Sequence, residues 1–194
     1  NGFLGLGAIA VIPSVVSSCS KDEKEEAEVI PINGESCQVS PVEMVGPFPI
    51  KTPAQLAQSN IIGDRTGVPL LMKITIQDQS NGCLPLAGVL VDVWQCDKDG
   101  NYSEYGGTGM QPTNYTNNHF LRGRQTTDEN GLVTFTSIFP GWYSGRATHI
   151  HVHIYNASGT SLLVTQIAFP EGTNSAVATV NASTANGYTK GLSG

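Results

Sequence analysis

Three of the four histidines in this chain fall within His149-Ile150-His151-Val152-His153, at alternate residues of one short segment. On an extended strand that spacing sends all three imidazoles to the same face. Immediately upstream, Pro140-Gly141-Trp142-Tyr143-Ser144-Gly145-Arg146 brings a phenol and a guanidinium to the histidines from a Gly-rich turn. A second phenol, Tyr102, follows the turn cluster Asp97-Lys98-Asp99-Gly100-Asn101. Clustered imidazoles, phenols and a fixed cation are the side chains of a metal site. Tyr102, Tyr143, His149 and His151 form a hard, anionic donor set. Two phenolates and a hydroxide neutralise a trivalent ion such as Fe(III), whereas zinc sites normally use His, Cys or carboxylate. His153 lies ~6–7 Å further along the strand, which makes it a neighbour of the site or an exposed residue. His119, in the polar turn Asn117-Asn118-His119, is expected to face solvent.

The elements that must position these groups read as strands. Leu70 to Gln77 alternates Met72, Ile74 and Ile76 with Lys73 and Thr75, and Asn81-Gly82 marks the turn after it. Val89 to Gln95 forms a second strand and ends just before the turn that delivers Tyr102. Leu132 to Ile138, His149 to Tyr155 and Leu162 to Phe169 supply three more. No amphipathic helix exceeds two turns, and no repeat of 20 to 50 residues appears. Twenty-two Gly and eleven Pro at short intervals agree with many turns. The expected fold is all-β, an antiparallel β-sandwich with the chemistry in its loops and strand ends.

Composition limits the partners. The 194 residues, 39% hydrophobic and 13% charged, suit one compact domain, and ~150 folded residues bury ~70% of their unfolded surface. A net charge of −6 and scattered Lys and Arg disfavour nucleic acid. Phe3 to Val16 is apolar but too short to span a bilayer comfortably, and it leads into Val16-Ser17-Ser18-Cys19. Residues 1–19 therefore read as a bacterial lipoprotein signal, incomplete at its start, with a lipid anchor at Cys19. Residues 20–36 read as a flexible charged tether, and 37–194 as the folded domain. The expected location is outside the cytoplasmic membrane, lipid-anchored to the bacterial cell envelope on its periplasmic or surface side. Export permits disulfides, and Cys37 is the expected participant, with Cys83 or Cys96 as its partner.

Along 37–169 the chain resembles the intradiol ring-cleavage dioxygenases, the family of catechol 1,2-dioxygenase and protocatechuate 3,4-dioxygenase. The resemblance rests on an ordered series of motifs. These are Ser40-Pro41-Val42-Glu43-Met44-Val45-Gly46-Pro47-Phe48, Pro85-Leu86-Ala87-Gly88, Val91-Asp92-Val93-Trp94-Gln95-Cys96-Asp97 and Gly100-Asn101-Tyr102-Ser103. Phe120-Leu121-Arg122-Gly123-Arg124, Thr127-Asp128, Pro140-Gly141-Trp142-Tyr143, Arg146, His149-Ile150-His151 and Gln166 complete it. It implies Fe(III) held by Tyr102 and His151 as equatorial ligands and by Tyr143 and His149 as axial ones. A catechol-type substrate and O2 would give a muconate-type diacid, with Tyr143 leaving the metal as substrate arrives. Arg146 would lie beside the ring, supported by Gln166, and Gly46, Pro47 and Phe48 would line one wall.

The chain departs from the cytoplasmic enzymes of the family in two places. Only Ser144 and Gly145 separate Tyr143 from Arg146, and Ala147-Thr148 stands where Pro-Ala is common, so an exported branch is the nearer resemblance. Arg122 and Arg124 are candidates to attract a carboxylated ring. Two other readings compete. One is a zinc hydrolase or hydratase using His149, His151 and either His119 or His153. The other is a non-catalytic surface binding module.

Overall fold

The computed structural model describes residues 37–192. The signal, tether and Cys19 expected at the N-terminus lie outside the described residues. Eight strands follow in order: β1 (Pro69–Thr75), β2 (Gln77–Asp78), β3 (Leu84–Pro85), β4 (Leu90–Trp94), β5 (Arg122–Thr126), β6 (Leu132–Ile138), β7 (His149–Tyr155) and β8 (Ser161–Ala168). One short helix, α1 (Ala176–Asn181), comes after them. β5, β4, β7 and β8 form an antiparallel sheet in that spatial order, while β1 pairs with β6. The fold is the antiparallel β-sandwich that the alternating pattern implies.

The core fixes which face of the larger sheet is available for chemistry. Val91 and Val93 of β4 and Ile150, Val152 and Ile154 of β7 pack against Met72, Val133 and Phe135 of the β1–β6 pair. Because the side-chain period of a strand is two, the residues between them face the other way. Asp92, Trp94, His149, His151 and His153 therefore share the face that turns away from the sandwich core.

β5 has no counterpart in the sequence reading. Its residues, Arg-Gly-Arg-Gln-Thr, show no apolar alternation, and the segment becomes a strand by completing the edge of β4. Gly123 is required there, because a Cβ would meet Ile61 Cγ2 at 2.5 Å. The Ser- and Thr-rich C-terminal part also packs. Val177, Val180 and Tyr188 cluster with Phe139, and the Tyr188 hydroxyl donates to the Phe139 carbonyl at 2.6 Å.

Cys37 is bonded to Cys83, 46 residues away, which resolves the choice of partner, and Cys96 is a buried free thiol. The bond ties the start of the described chain to the turn before β3. A cross-link of this span removes denatured-state entropy worth about 2–4 kcal/mol. Cys83→Ser is expected to lower stability by that amount, read as a lower denaturant midpoint with a raised m-value, because the denatured state without the cross-link is less compact. An unchanged midpoint would show that the bond is absent in solution.

Candidate metal and substrate site

One row of paired residues crosses the four-stranded sheet: Arg122 of β5, Trp94 of β4, His151 of β7 and Gln166 of β8. All four project from the face opposite the core. His151 stacks on Trp94 with ring centroids 4.7 Å apart and planes within 1°. Although it lies on the outer face, His151 is fully buried, because the segment around Gly46 and the loop carrying Tyr102 cover it. Its Nε2 lies 3.0 Å from His149 Nε2. Two nitrogens at that separation suit neighbouring positions around one ion with bonds of ~2.1 Å. The His149 Nδ1 faces the Ala147 carbonyl at 2.6 Å, so Nδ1 carries the proton and Nε2 its lone pair.

Loop chemistry brings the two phenols to these imidazoles. The Asp97 carboxylate accepts from the amides of Asp99 at 3.0 Å and Asn101 at 2.9 Å, closing the turn that precedes Tyr102. Gln111 then brackets Tyr102, accepting from its amide at 2.7 Å and donating to its carbonyl at 2.8 Å. Nothing in the local pattern around Gln111 signals this role. The Tyr102 ring stacks on Phe48 at 4.6 Å, and lies 5.7 Å from Tyr143 and 6.1 Å from His151. Tyr143 lies 5.8 Å from His149. Tyr102 is fully buried, and its hydroxyl has no hydrogen-bond partner among the described residues. Tyr143 is only half-buried.

Burial dominates the electrostatics. It pushes the Tyr102 phenol well above its ordinary range, with Cys96 and Tyr143 adding to the shift and Arg122 and Arg146 opposing it. It raises the Tyr143 phenol too, against the nearby Arg146. Burial pulls His151 down to about 3, helped by His149 and Arg146, and lowers His149 for the same first reason. The pocket therefore holds neutral imidazoles and phenols that would ionise only against strong positive charge.

Arg146 donates to Gln166 Oε1 at 2.5 Å, and Gln166 Nε2 donates to the Met44 carbonyl at 2.9 Å. This chain of contacts joins the Tyr143 turn, β8 and the segment leading to Gly46. A Cβ on Gly46 would stand 2.9 Å from His151 Cε1, so that segment runs directly over the imidazole. Pro47 is exposed and Phe48 buried. The remaining candidates lie elsewhere. His153 bonds Ser161 Oγ and the Tyr155 hydroxyl, each at 2.8 Å, and His119 is exposed beside Glu104. Arg124 is paired with Asp92, and Arg122 is buried against backbone carbonyls, so neither is aimed at a carboxylated ring.

Residues 47–187 match the family model described as Dioxygenase. The chain belongs to the intradiol ring-cleavage dioxygenases, a family that generally uses non-haem Fe(III). It is 32% identical over 117 residues to the chlorocatechol 1,2-dioxygenase of Rhodococcus opacus, matching 50% of this chain and 43% of that protein. Among solved structures, an intradiol ring-cleavage dioxygenase from Tetranychus urticae is 38% identical over 70% of this chain and 66% of its own, with a TM-score of 0.61. The dioxygenase domain of a carbohydrate-binding fusion protein from Streptomyces sp. SirexAA-E is 30% identical over 80% of this chain and 86% of its own, with a TM-score of 0.56. The chain spans less than half the length of the curated relatives it matches.

Two outcomes follow from this geometry. Gly46 has φ +75°, and its missing Cβ leaves room for His151. Gly46→Ala is expected to cost about 1–2 kcal/mol for a left-handed alanine, lowering Tm by roughly 2–8 °C. An unchanged Tm would mean that the segment does not lie over the imidazole. In the metal-free protein, both imidazoles titrate lower folded than unfolded, so the unfolded chain binds more protons below the ordinary histidine range. Their stabilising contribution is complete above pH ~6.5 and is lost as pH falls toward the folded values. Denaturant midpoints between pH 7 and pH 4 should fall less steeply for His151→Gln than for the parent, and parallel curves would contradict this.

Proposed function

We propose that this chain is an intradiol dioxygenase that holds Fe(III) through Tyr102, Tyr143, His149 and His151 and opens catechol-type rings between the two hydroxyls. With O2 the product is a muconate-type diacid. The observation that carries this reading is the Tyr102 hydroxyl, buried without a partner beside a second phenol and two converging imidazole nitrogens. A buried polar atom with no partner costs about 1–3 kcal/mol, and a trivalent cation would satisfy it while ionising both phenols. Ferric iron, when bound, would be chelated by the two catecholate oxygens and would draw electron density from the ring.

The protein groups supply the rest. His149 and His151 are kept neutral by burial, so their lone pairs remain available. The half-buried Tyr143 is the phenol able to swing away and hold a substrate proton, whereas Tyr102 is locked by Phe48 and Gln111. Arg146, fixed by Gln166, would place a permanent cation beside the catecholate, where it stabilises the negative charge of the dianion. Phe48 provides an aromatic wall, with Gly46 and Pro47 at its edge. We further propose export with a lipid anchor at Cys19, on the strength of the apolar run and lipobox in the sequence. The zinc reading lacks a third donor: among the described residues no three of His, Cys, Asp or Glu are grouped to hold a metal.

The decisive experiment assays O2 uptake and diacid product with catechol, protocatechuate, hydroxyquinol and caffeate, on protein whose metal content and visible spectrum are measured. The expected protein is red to purple from phenolate-to-iron charge transfer and yields intradiol products. His149→Ala and His151→Ala should lose iron, His153→Ala should keep it, and Tyr143→Phe should keep iron with a lower kcat. Stoichiometric zinc without a visible band, or cleavage next to the diol, would overturn the proposal. Iron retention with every catechol left intact would favour a binding module.

A further inference from the structure

We propose that Arg122 is a positioning residue for this site: its guanidinium fastens the Phe48 wall to the Tyr102 loop and holds a positive charge beside the Tyr102 ring. The inference rests on the reading of Tyr102 as an iron ligand. Arg122 is fully buried and occupies the same cross-strand row as Trp94, His151 and Gln166, at the opposite end from Gln166. Its Nη1 donates to the Phe48 carbonyl at 3.0 Å and its Nη2 to the Ser103 carbonyl at 2.7 Å. Nε donates to Ser103 Oγ at 2.9 Å, and that hydroxyl donates onward to the Phe120 carbonyl at 2.6 Å. One rigid fork thus joins the residue that stacks on Tyr102 to the residue that follows Tyr102. The carbon of the guanidinium lies 5.9 Å from the Tyr102 ring centroid, within the range of a cation–π contact.

A guanidinium at zero exposure is a costly way to hold two loops, because a well-packed apolar side chain often serves stability as well or better. What an apolar residue cannot supply is the planar three-bond fork or the charge. That charge has a buried negative partner. Glu104 Oε2 lies 3.6 Å from Arg122 Nε, and the Glu104 carboxylate accepts from the Lys51 amide at 2.7 Å, Thr52 Oγ1 at 2.7 Å and His119 Nδ1 at 2.9 Å. Arg122 and Glu104 form a buried ion pair whose guanidinium carbon lies 5.9 Å from the Tyr102 ring centroid and 5.5 Å from that of Tyr105. A positive charge beside a phenolate lowers the energy of its electrons, which raises the energy of phenolate-to-iron charge transfer.

The test reads the visible band of iron-loaded protein without substrate, together with KM and kcat for catechol. Arg122→Met should shift the band to longer wavelength and raise KM on the order of tenfold as the wall loosens. Arg122→Lys restores charge without the fork, so the band should return toward the parent position while KM stays raised. Glu104→Gln removes the balancing negative charge and should shift the band the opposite way, to shorter wavelength. Ser103→Ala breaks one bond with no change of charge, and should raise KM with the band unmoved. Should Arg122→Met fail to fold, the shorter-wavelength band of Glu104→Gln against the unmoved band of Ser103→Ala still decides. A coloured parent whose band is unmoved in Glu104→Gln and Arg122→Met overturns the inference, because a purely structural arginine alters stability and iron content but not the spectrum. A parent without any visible band overturns instead the reading of Tyr102 as a ligand.

Discussion

The register between β4 and β7 is the constraint on which the site depends. It sets Trp94 against His151 and Val93 against Val152, so one strand pair serves two opposite surfaces. Ile150, Val152 and Ile154 enter the sandwich core, and His149, His151 and His153 leave it. A slip of one residue would put three imidazoles into the apolar layer and three aliphatic side chains under the loops. The hydrophobic layer therefore also specifies where the donor nitrogens stand. Sandwich packing and site geometry are two consequences of a single pairing.

Covering the outer face creates the second condition, a dry pocket on what would otherwise be solvent-facing strand. Gly46 passes over His151 with no room for a Cβ, Phe48 stacks on Tyr102, and Gln111 saturates the Tyr102 backbone. Low polarity then drives the phenols and the imidazoles toward their neutral forms. Two cations frame the pocket, Arg146 beside Tyr143 and Arg122 behind Tyr102. Strain accompanies this arrangement: Glu104 and Leu121, both without the freedom of glycine, hold φ of 65° and 55° in the segments that flank Arg122 and Tyr102. Left-handed backbone at bulky residues persists where the surroundings over-determine it, which is common at functional sites.

A family model covering residues 47–187 reaches from the Phe48 wall to the C-terminal segment that packs on Phe139. The disulfide between Cys37 and Cys83 lies partly outside that span and fastens the preceding segment to the turn before β3. That segment contributes the Met44 carbonyl that holds Gln166, so a cross-link remote from the metal ligands supports the side chain that steadies Arg146.

The five strands with alternating apolar residues were legible in the chain, because burial on one face imposes a period of two on the sequence. The same period placed His149 and His151 together, and the turn chemistry of Asp97 to Asn101 announced Tyr102. Arg122–Thr126 carried no such signal, since an edge strand packed by a glycine and two arginines becomes a strand only when β4 offers it hydrogen bonds. Cysteine spacing left Cys83 and Cys96 equally open as partners for Cys37, and only folding put one thiol at the surface turn and the other in the buried cluster with Trp94 and Tyr102. Arg122 read as a cation free to meet a substrate, whereas its fork is consumed by carbonyls 74 and 19 residues away in the chain. Local periodicity reports which face a residue takes; which distant backbone it meets there is decided by the packing of loops over the sheet.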